Sequence, residues 1–223
     1  MRILAFASQK GGVGKTTLAG HLAVAAERTN AGPAALIDAD PQGSLAAWWN
    51  EREAERPLFA RAQVRDLTSQ LNQLRVSGVR LVMIDTPPNA SDQVIGTVVR
   101  ASHLIVIPTR PSPHDLRSLG ATVSLVRAAG KPMVFVINGA PIRARITAEA
   151  AVALSQHGPV APALIHQRVA YASTMTNGLT VLEAAPDSKA SAEIMDLWTY
   201  VNQQLNTSAR AKVKHAKQNL AIE

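Results

Sequence analysis

The feature that most constrains the fold is a glycine-rich segment near the start of the chain, Gln-Lys-Gly-Gly-Val-Gly-Lys-Thr-Thr over residues 9–17. A short apolar stretch over residues 3–8 precedes it, and an Ala/Leu-rich stretch over residues 16–28 follows it. This order of strand, glycine loop and helix is typical of a P-loop, in which backbone N–H groups and the helix dipole both face a phosphate. The segment therefore predicts an α/β domain that binds a nucleotide.

The residue types of the loop match the chemistry of phosphate binding. Three glycines allow the close backbone approach that phosphate oxygens need. Lys15 is expected to reach the β- and γ-phosphates, and Thr16 to place its hydroxyl on Mg²⁺. The predicted cofactor-binding residues of this segment are Lys10, Gly11, Gly12, Val13, Gly14, Lys15, Thr16 and Thr17.

The loop departs from the standard pattern G-x-x-x-x-G-K-[ST], because Gln9 stands where the first glycine is expected. Lys10, the next residue, adds a second lysine to the segment. A lysine so close to the phosphates is expected to neutralise charge there, on its own subunit or on another one. We therefore include Lys10 and Lys15 among the candidate catalytic residues.

Two apolar strands downstream of the loop end in aspartates that suit phosphoryl transfer. Residues 34–38 lead into Asp38 and Asp40, and residues 79–85 end at Asp85. Ligands of open α/β sheets bind at the carboxyl ends of the strands. Asp85 is expected to contact Mg²⁺ through water, and Asp40 to lie at the metal and orient the attacking water, with Asp38 in support. The alternative is that these aspartates only form turns or cap helices.

The rest of the chain alternates strand and helix. Further strands are predicted over residues 103–108, 132–138 and 163–166, and helices over residues 44–55, 66–76, 115–129, 147–157 and 187–205, with Asp66 capping the second. Such alternation predicts an α/β fold with a mainly parallel twisted sheet and helices on both faces. We expect one P-loop ATPase domain over residues 1–206, followed by a basic tail or helix over residues 207–223.

Composition narrows the function classes. The chain has no cysteine, which excludes disulfides, thiolate zinc sites and cysteine-ligated iron–sulfur clusters. No apolar run approaches the roughly 20 residues that cross a bilayer, so we expect a cytoplasmic protein. The net charge of +7 favours polyanionic partners, nucleic acid first and an anionic membrane surface second.

Three motifs together resemble the ParA/MinD family of deviant Walker A ATPases. They are K-G-G-x-G-K-T-T at residues 10–17, D-x-D-P-Q-G-S at residues 38–44 and D-T-P-P at residues 85–88. The resemblance extends over about residues 1–205. Residues 107–115 and 167–183 are most similar to the small ParA-type, ParF-like partition ATPases, which lack an N-terminal DNA-binding domain.

The resemblance implies ATP and Mg²⁺ as cofactors and a cycle of assembly. ATP bridges a sandwich homodimer in which Lys10 reaches the partner's phosphates, and the dimer binds nucleoid DNA without sequence preference. A ParB-like partner or cargo adaptor then stimulates hydrolysis and releases the dimer, which partitions or positions plasmid, chromosome or protein cargo. Pro108 and Asn138 are implied to approach the base. Separately, Gln42, Arg110 and Asp115 are candidate contacts with the partner subunit.

The choice between DNA and membrane depends on the basic residues. The candidate DNA contacts are Arg143, Arg145, Arg168, Lys189, Arg210, Lys212, Lys214 and Lys217. Each alone is more often a solvated surface charge, but the basic tail lacks the bulky apolar face of an interfacial helix. We therefore favour DNA, and two alternatives remain: a MinD-like membrane-associated spatial regulator and a P-loop metabolic enzyme.

Overall fold

In the computed structural model, which describes the backbone of residues 1–220 and the side chains of residues 1–209, the apolar runs form a seven-stranded sheet. Its strands are β1 (Arg2–Phe6), β2 (Ala34–Asp38), β3 (Leu58–Arg61), β4 (Leu81–Asp85), β5 (Leu104–Thr109), β6 (Met133–Ala140) and β7 (Ile165–His166). The strand order is β3-β2-β4-β1-β5-β6-β7, and all neighbours are parallel. The predicted parallel sheet is confirmed.

Helices cover both faces of this sheet, as predicted. They are α1 (Lys15–Arg28), α2 (Ser44–Asn50), α3 (Leu67–Val76), α4 (Asp92–Ala101), α5 (Pro113–Arg117), α6 (Gly120–Ala128), α7 (Arg145–Ser155), α8 (Val169–Thr176), α9 (Val181–Ala184) and α10 (Lys189–Leu220). Successive residues of β4 point to opposite faces: Met83 belongs to the hydrophobic cluster that includes residues of α1, α2 and α10, whereas Ile84 belongs to the cluster that includes residues of α3, α4, α6 and α7. Each face thus buries its own hydrophobic layer.

Several predicted elements differ in detail from the observed ones. The helix predicted over residues 115–129 is two helices, α5 and α6, and the helix predicted over residues 44–55 ends at Asn50. Four observed elements were not predicted from the sequence: the edge strand β3 and the helices α4, α8 and α9. Asp66 precedes α3, but its side chain makes no capping hydrogen bond there and lies 3.5 Å from Arg65 instead.

The C-terminal helix continues past the predicted domain boundary. The backbone of α10 runs from Lys189 to Leu220 without a break at residue 206. The side chains of four predicted DNA contacts lie outside the described residues: Arg210, Lys212, Lys214 and Lys217. Within the described part of the chain, no helix combines the length and apolarity needed to cross a membrane.

Candidate nucleotide-binding site

The glycine loop connects the end of β1 to the first turn of α1, and its backbone requires glycine at two positions. Gly12 has a φ of +71°, and Gly14, the residue before α1, has a φ of +96°, a left-handed conformation that side chains rarely adopt. A Cβ on Gly14 would also lie 2.1 Å from Nδ2 of Asn138. The loop forms the floor of a cavity of about 700 Å³, which is large enough for a nucleotide.

Asn138, at the carboxyl end of β6, braces this loop. Its Nδ2 donates a hydrogen bond of 2.7 Å to the carbonyl oxygen of Val13. No sequence pattern indicated this bond, and a contact between Asn138 and a base stays a prediction. Pro108 lies buried within β5, paired in register with Val136 of β6. A contact between Pro108 and a base likewise stays a prediction.

Thr16 and Asp85 meet where the predicted magnesium site falls. β4 and β1 are paired so that Asp85 ends its strand opposite Phe6, and the Thr16 hydroxyl donates to Oδ2 of Asp85 at 2.6 Å. Asp85 is 1% exposed, and its Oδ1 has no hydrogen-bond partner among the described residues. Burial raises the pKa of Asp85 to about 7, although the hydrogen bond from Thr16 opposes this shift.

These two oxygen-bearing groups fit Mg²⁺, which prefers hard oxygen ligands and keeps several waters and phosphate oxygens in its shell. The orphaned Oδ1 of Asp85 is free to accept a hydrogen bond from a metal-bound water. The described residues contain no cluster of three or more His, Cys, Asp or Glu side chains that could hold a metal.

The loop after β2 brings Asp40 to the cavity, and Asp38 shapes that loop. The two oxygens of Asp38 accept hydrogen bonds of 3.0 Å from the backbone N–H groups of Asp40 and Ala46, and burial raises its pKa. Asp40 lines the nucleotide cavity and accepts a hydrogen bond of 2.9 Å from the N–H of Gln42. Asp38 is thus a buried support, and Asp40 is the carboxylate that a bound nucleotide would meet.

The two lysines of the loop have different environments. Lys15 is 6% exposed, its Nζ donates to the carbonyl oxygen of Lys10 at 3.2 Å, and burial lowers its pKa. The side chain of Lys10 is 37% exposed, and its Nζ lies 2.7 Å from Oδ1 of Asp115 in α5. Although burial alone would raise the pKa of Asp115, hydrogen bonds from Lys10 and Ser112 hold it below its usual value.

Sequence reasoning missed one wall of the cavity. Trp48 of α2 and Met175 of α8 both line it, although they lie far apart in the sequence. The buried ring of His21 in α1 contacts the ring of Tyr171 in α8, with centroids 5.4 Å apart, and accepts from the N–H of Val181 in α9 at 3.2 Å. These contacts join distant segments, so no local pattern could have predicted them.

The predicted DNA contacts whose side chains are described differ in whether they already have an ion-pair partner. Arg145 is ion-paired with Glu149 at 2.8 Å, and Arg168 is held by Glu193. Arg143 is exposed and makes no hydrogen bond or ion pair with any described residue. Lys189 begins α10.

A parallel sheet with a glycine loop, a threonine–aspartate pair and a second lysine defines a P-loop nucleotide-binding protein of the deviant type. Residues 4–181 match the family described as the CobQ/CobB/MinD/ParA nucleotide binding domain, and the chain belongs to this family.

Two curated relatives share most of their length with this chain. The maintenance of carboxysome distribution protein A of Gloeobacter kilaueensis is 34% identical over 206 residues, which cover 87% of this chain and 94% of the relative. The protein ParA of Rhizobium radiobacter is 26% identical over 191 residues, which cover 80% of this chain and 84% of the relative.

Among solved structures, the septum site-determining protein MinD of Pyrococcus horikoshii OT3, complexed with Mg-ADP, superposes with a TM-score of 0.76. It is 17% identical, and the match covers 93% of this chain and 98% of MinD. At this identity the likeness establishes the fold.

Proposed function

We propose that this protein is an ATPase that positions or partitions a cargo by switching between a free form and a DNA-bound dimer. Membership of the CobQ/CobB/MinD/ParA family supports nucleotide binding. The names of two relatives refer to carboxysome distribution and to ParA, which supports a spatial role rather than a metabolic one. The basic composition, with a net charge of +7, supports DNA as the polyanionic surface to which the dimer binds.

Different residues of the site would bind the phosphates, the Mg²⁺ ion and the attacking water during ATP hydrolysis. The loop amides and Lys15 hold the phosphates, while Thr16 and Asp85 offer oxygens to Mg²⁺, which would neutralise charge that develops on the phosphates. Asp40 lines the same cavity and is the carboxylate assigned to orient the attacking water. Phosphoryl transfer needs little covalent help from a protein, so this positioning and charge neutralisation would be sufficient.

The observation that carries the dimer proposal is the environment of Lys10. Its side chain is 37% exposed beside the glycine loop, and a carboxylate of α5 holds its ammonium group at 2.7 Å. Lys15 already occupies the loop and is almost fully buried. A second, partly exposed cation therefore lies beside the loop, and it would reach the phosphates of another subunit on leaving Asp115.

Sedimentation velocity in the presence of Mg²⁺ and a slowly hydrolysed ATP analogue tests this assignment. We expect the wild-type chain and a Lys189→Ala control to dimerise. Lys10→Ala should bind the analogue but stay monomeric, whereas Lys15→Ala should lose the analogue itself. Normal dimers and normal ATP turnover in Lys10→Ala would refute the role assigned to Lys10.

DNA binding is tested by a mobility shift at several salt concentrations. Binding should require ATP and should weaken steeply as salt rises, because each phosphate contact releases counterions. Changing the four basic tail residues to glutamine should reduce the slope of log K against log salt by about 3 to 4 for each subunit of the dimer whose tail contacts phosphates. Binding to anionic liposomes but not to DNA would instead favour the membrane-associated alternative.

A further inference from the structure

A second concave surface lies between α7 and the segment that leads into β7. It has a volume of about 480 Å³ and shares no lining residue with the nucleotide cavity. One wall is a stripe along α7, and the other is the segment over residues 160–164. The stripe consists of Ala144, Thr147, Ala148 and Ala151, and the opposite wall of Val160, Ala161, Pro162 and Leu164. We call this surface the α7 groove.

Thr147 is a buried polar residue of this mainly apolar groove, whose other polar lining residues are Arg143 and His166. It is 7% exposed, and its Oγ1 has no hydrogen-bond partner among the described residues. A buried hydroxyl without a hydrogen-bond partner costs about 1–3 kcal/mol of folding free energy, so Thr147 is a polar group that the packing of the chain alone does not explain. Apolar walls with a small number of placed polar groups are typical of binding sites.

Three large exposed apolar side chains lie on α7 or just before it, although none of them lines the α7 groove. Ile142 and Val152 are each 65% exposed, and Ile146 is 36% exposed. These three account for half of the six large exposed hydrophobic residues among the described side chains, and all lie on α7 or just before it. An exposed apolar cluster of this kind marks a protein-interaction surface, and it offers nothing to the phosphates of DNA.

The charge at the mouth of the groove favours an acidic occupant. Arg143 lines the groove, has a φ of +56° and forms no ion pair with any described residue. The acidic groups nearby are already paired, Glu149 with Arg145 and Glu193 with His166 and Arg168. The unpaired charge is therefore positive.

We propose that the α7 groove docks an amphipathic acidic segment of a partner protein. Apolar side chains of that segment fill the space along the alanine stripe, and a carboxylate pairs with Arg143. Docking of an amphipathic segment into an apolar groove is a common mode of peptide recognition. The identity of this partner as the regulator of the ATPase rests on the proposed function, whereas the groove itself does not.

Phage display tests the groove directly, because it selects ligands by affinity and does not require the natural partner to be identified. A library of random 16-residue peptides is selected on the full chain and counter-selected on Ala148→Gln, which narrows the groove. The selected peptides should carry leucine or isoleucine at helical spacing together with aspartate or glutamate. Fluorescence anisotropy of one such peptide then measures its affinity for each variant.

Matched variants define the expected result. Ala128→Gln makes the same change at an exposed alanine of α6 and should bind like the wild type, whereas Ala148→Gln should bind at least about tenfold more weakly. Arg143→Gln should lose about tenfold, the value of a charge-assisted hydrogen bond, and the neighbouring Arg145→Gln should lose little.

Three outcomes would overturn the proposal. They are a failure to select any peptide that distinguishes Ala148→Gln from the wild type, selection of basic peptides, and loss of duplex DNA binding in Ala148→Gln without any peptide binding. ATP turnover of the wild-type chain, measured in parallel, separates a failure of the groove from a failure of the proposed function.

Discussion

The buried carboxylate of Asp85 should destabilise the folded protein whenever it is ionised. The side chain is 1% exposed, and burial raises its pKa from 3.8 to about 7. A carboxyl group with a raised folded-state pKa weakens the fold as pH rises from the unfolded pKa to the folded one. The shift of about 3 units corresponds to a penalty of about 4 kcal/mol, which is absent below pH 4 and complete above pH 7.

Asp85→Asn removes this ionisation, and urea unfolding at several pH values measures the effect. The difference in unfolding free energy between variant and wild type should grow in favour of the variant by about 3 kcal/mol between pH 5 and pH 8. The same variant should lose Mg²⁺-dependent ATP turnover. Added Mg-ATP should stabilise the wild type more than the variant. A difference that stays constant with pH would refute the claim that burial of a charge dominates at Asp85.

The other predictions concern the loop, its brace, the lysine pair and the buried histidine. Gly14→Ala should abolish ATP binding in calorimetry while circular dichroism stays native, because the new methyl would lie 2.1 Å from Nδ2 of Asn138; wild-type affinity would contradict this. Asn138→Ala should weaken ATP about fivefold, the effect of one hydrogen bond, with little change in melting temperature. Asp115→Asn should release Lys10 and lower the ATP concentration at which sedimentation detects dimers; unchanged dimerisation would show that the pair does not restrain Lys10. Burial lowers the pKa of His21 to about 4, so the wild type should lose up to about 3 kcal/mol relative to His21→Gln as pH falls from 6.5 to 4, measured by urea unfolding.

The sequence predicted best those features in which local pattern and position in the fold coincide. The loop over residues 9–17 and the strand that ends at Asp85 could be recognised because buried parallel strands are continuous apolar runs followed by polar residues. The carboxyl ends of such strands share one edge of the sheet, so the aspartates were expected to lie near the loop. The parallel order of the sheet followed from the alternation of strand and helix.

Features that depend on distant contacts could not be predicted in this way. The edge strand β3 is four residues long and only partly buried, so its apolar pattern is weak. The wall of the cavity formed by Trp48 and Met175 exists only because α2 and α8 meet over α1. Likewise, Asp115 was expected to face a partner subunit, and no sequence pattern indicated that it holds Lys10 of its own chain.

A complementation assay most directly tests whether Lys10 acts across a dimer. Lys10→Ala keeps the loop that binds ATP but lacks the second lysine, whereas Lys15→Ala keeps Lys10 but should not bind ATP. If Lys10 serves the phosphates of the partner, a mixed dimer of the two variants contains one complete site. ATP turnover in the mixture that neither variant shows alone would establish action in trans. A mixture that stays as inactive as its components, although the two variants associate, would contradict it.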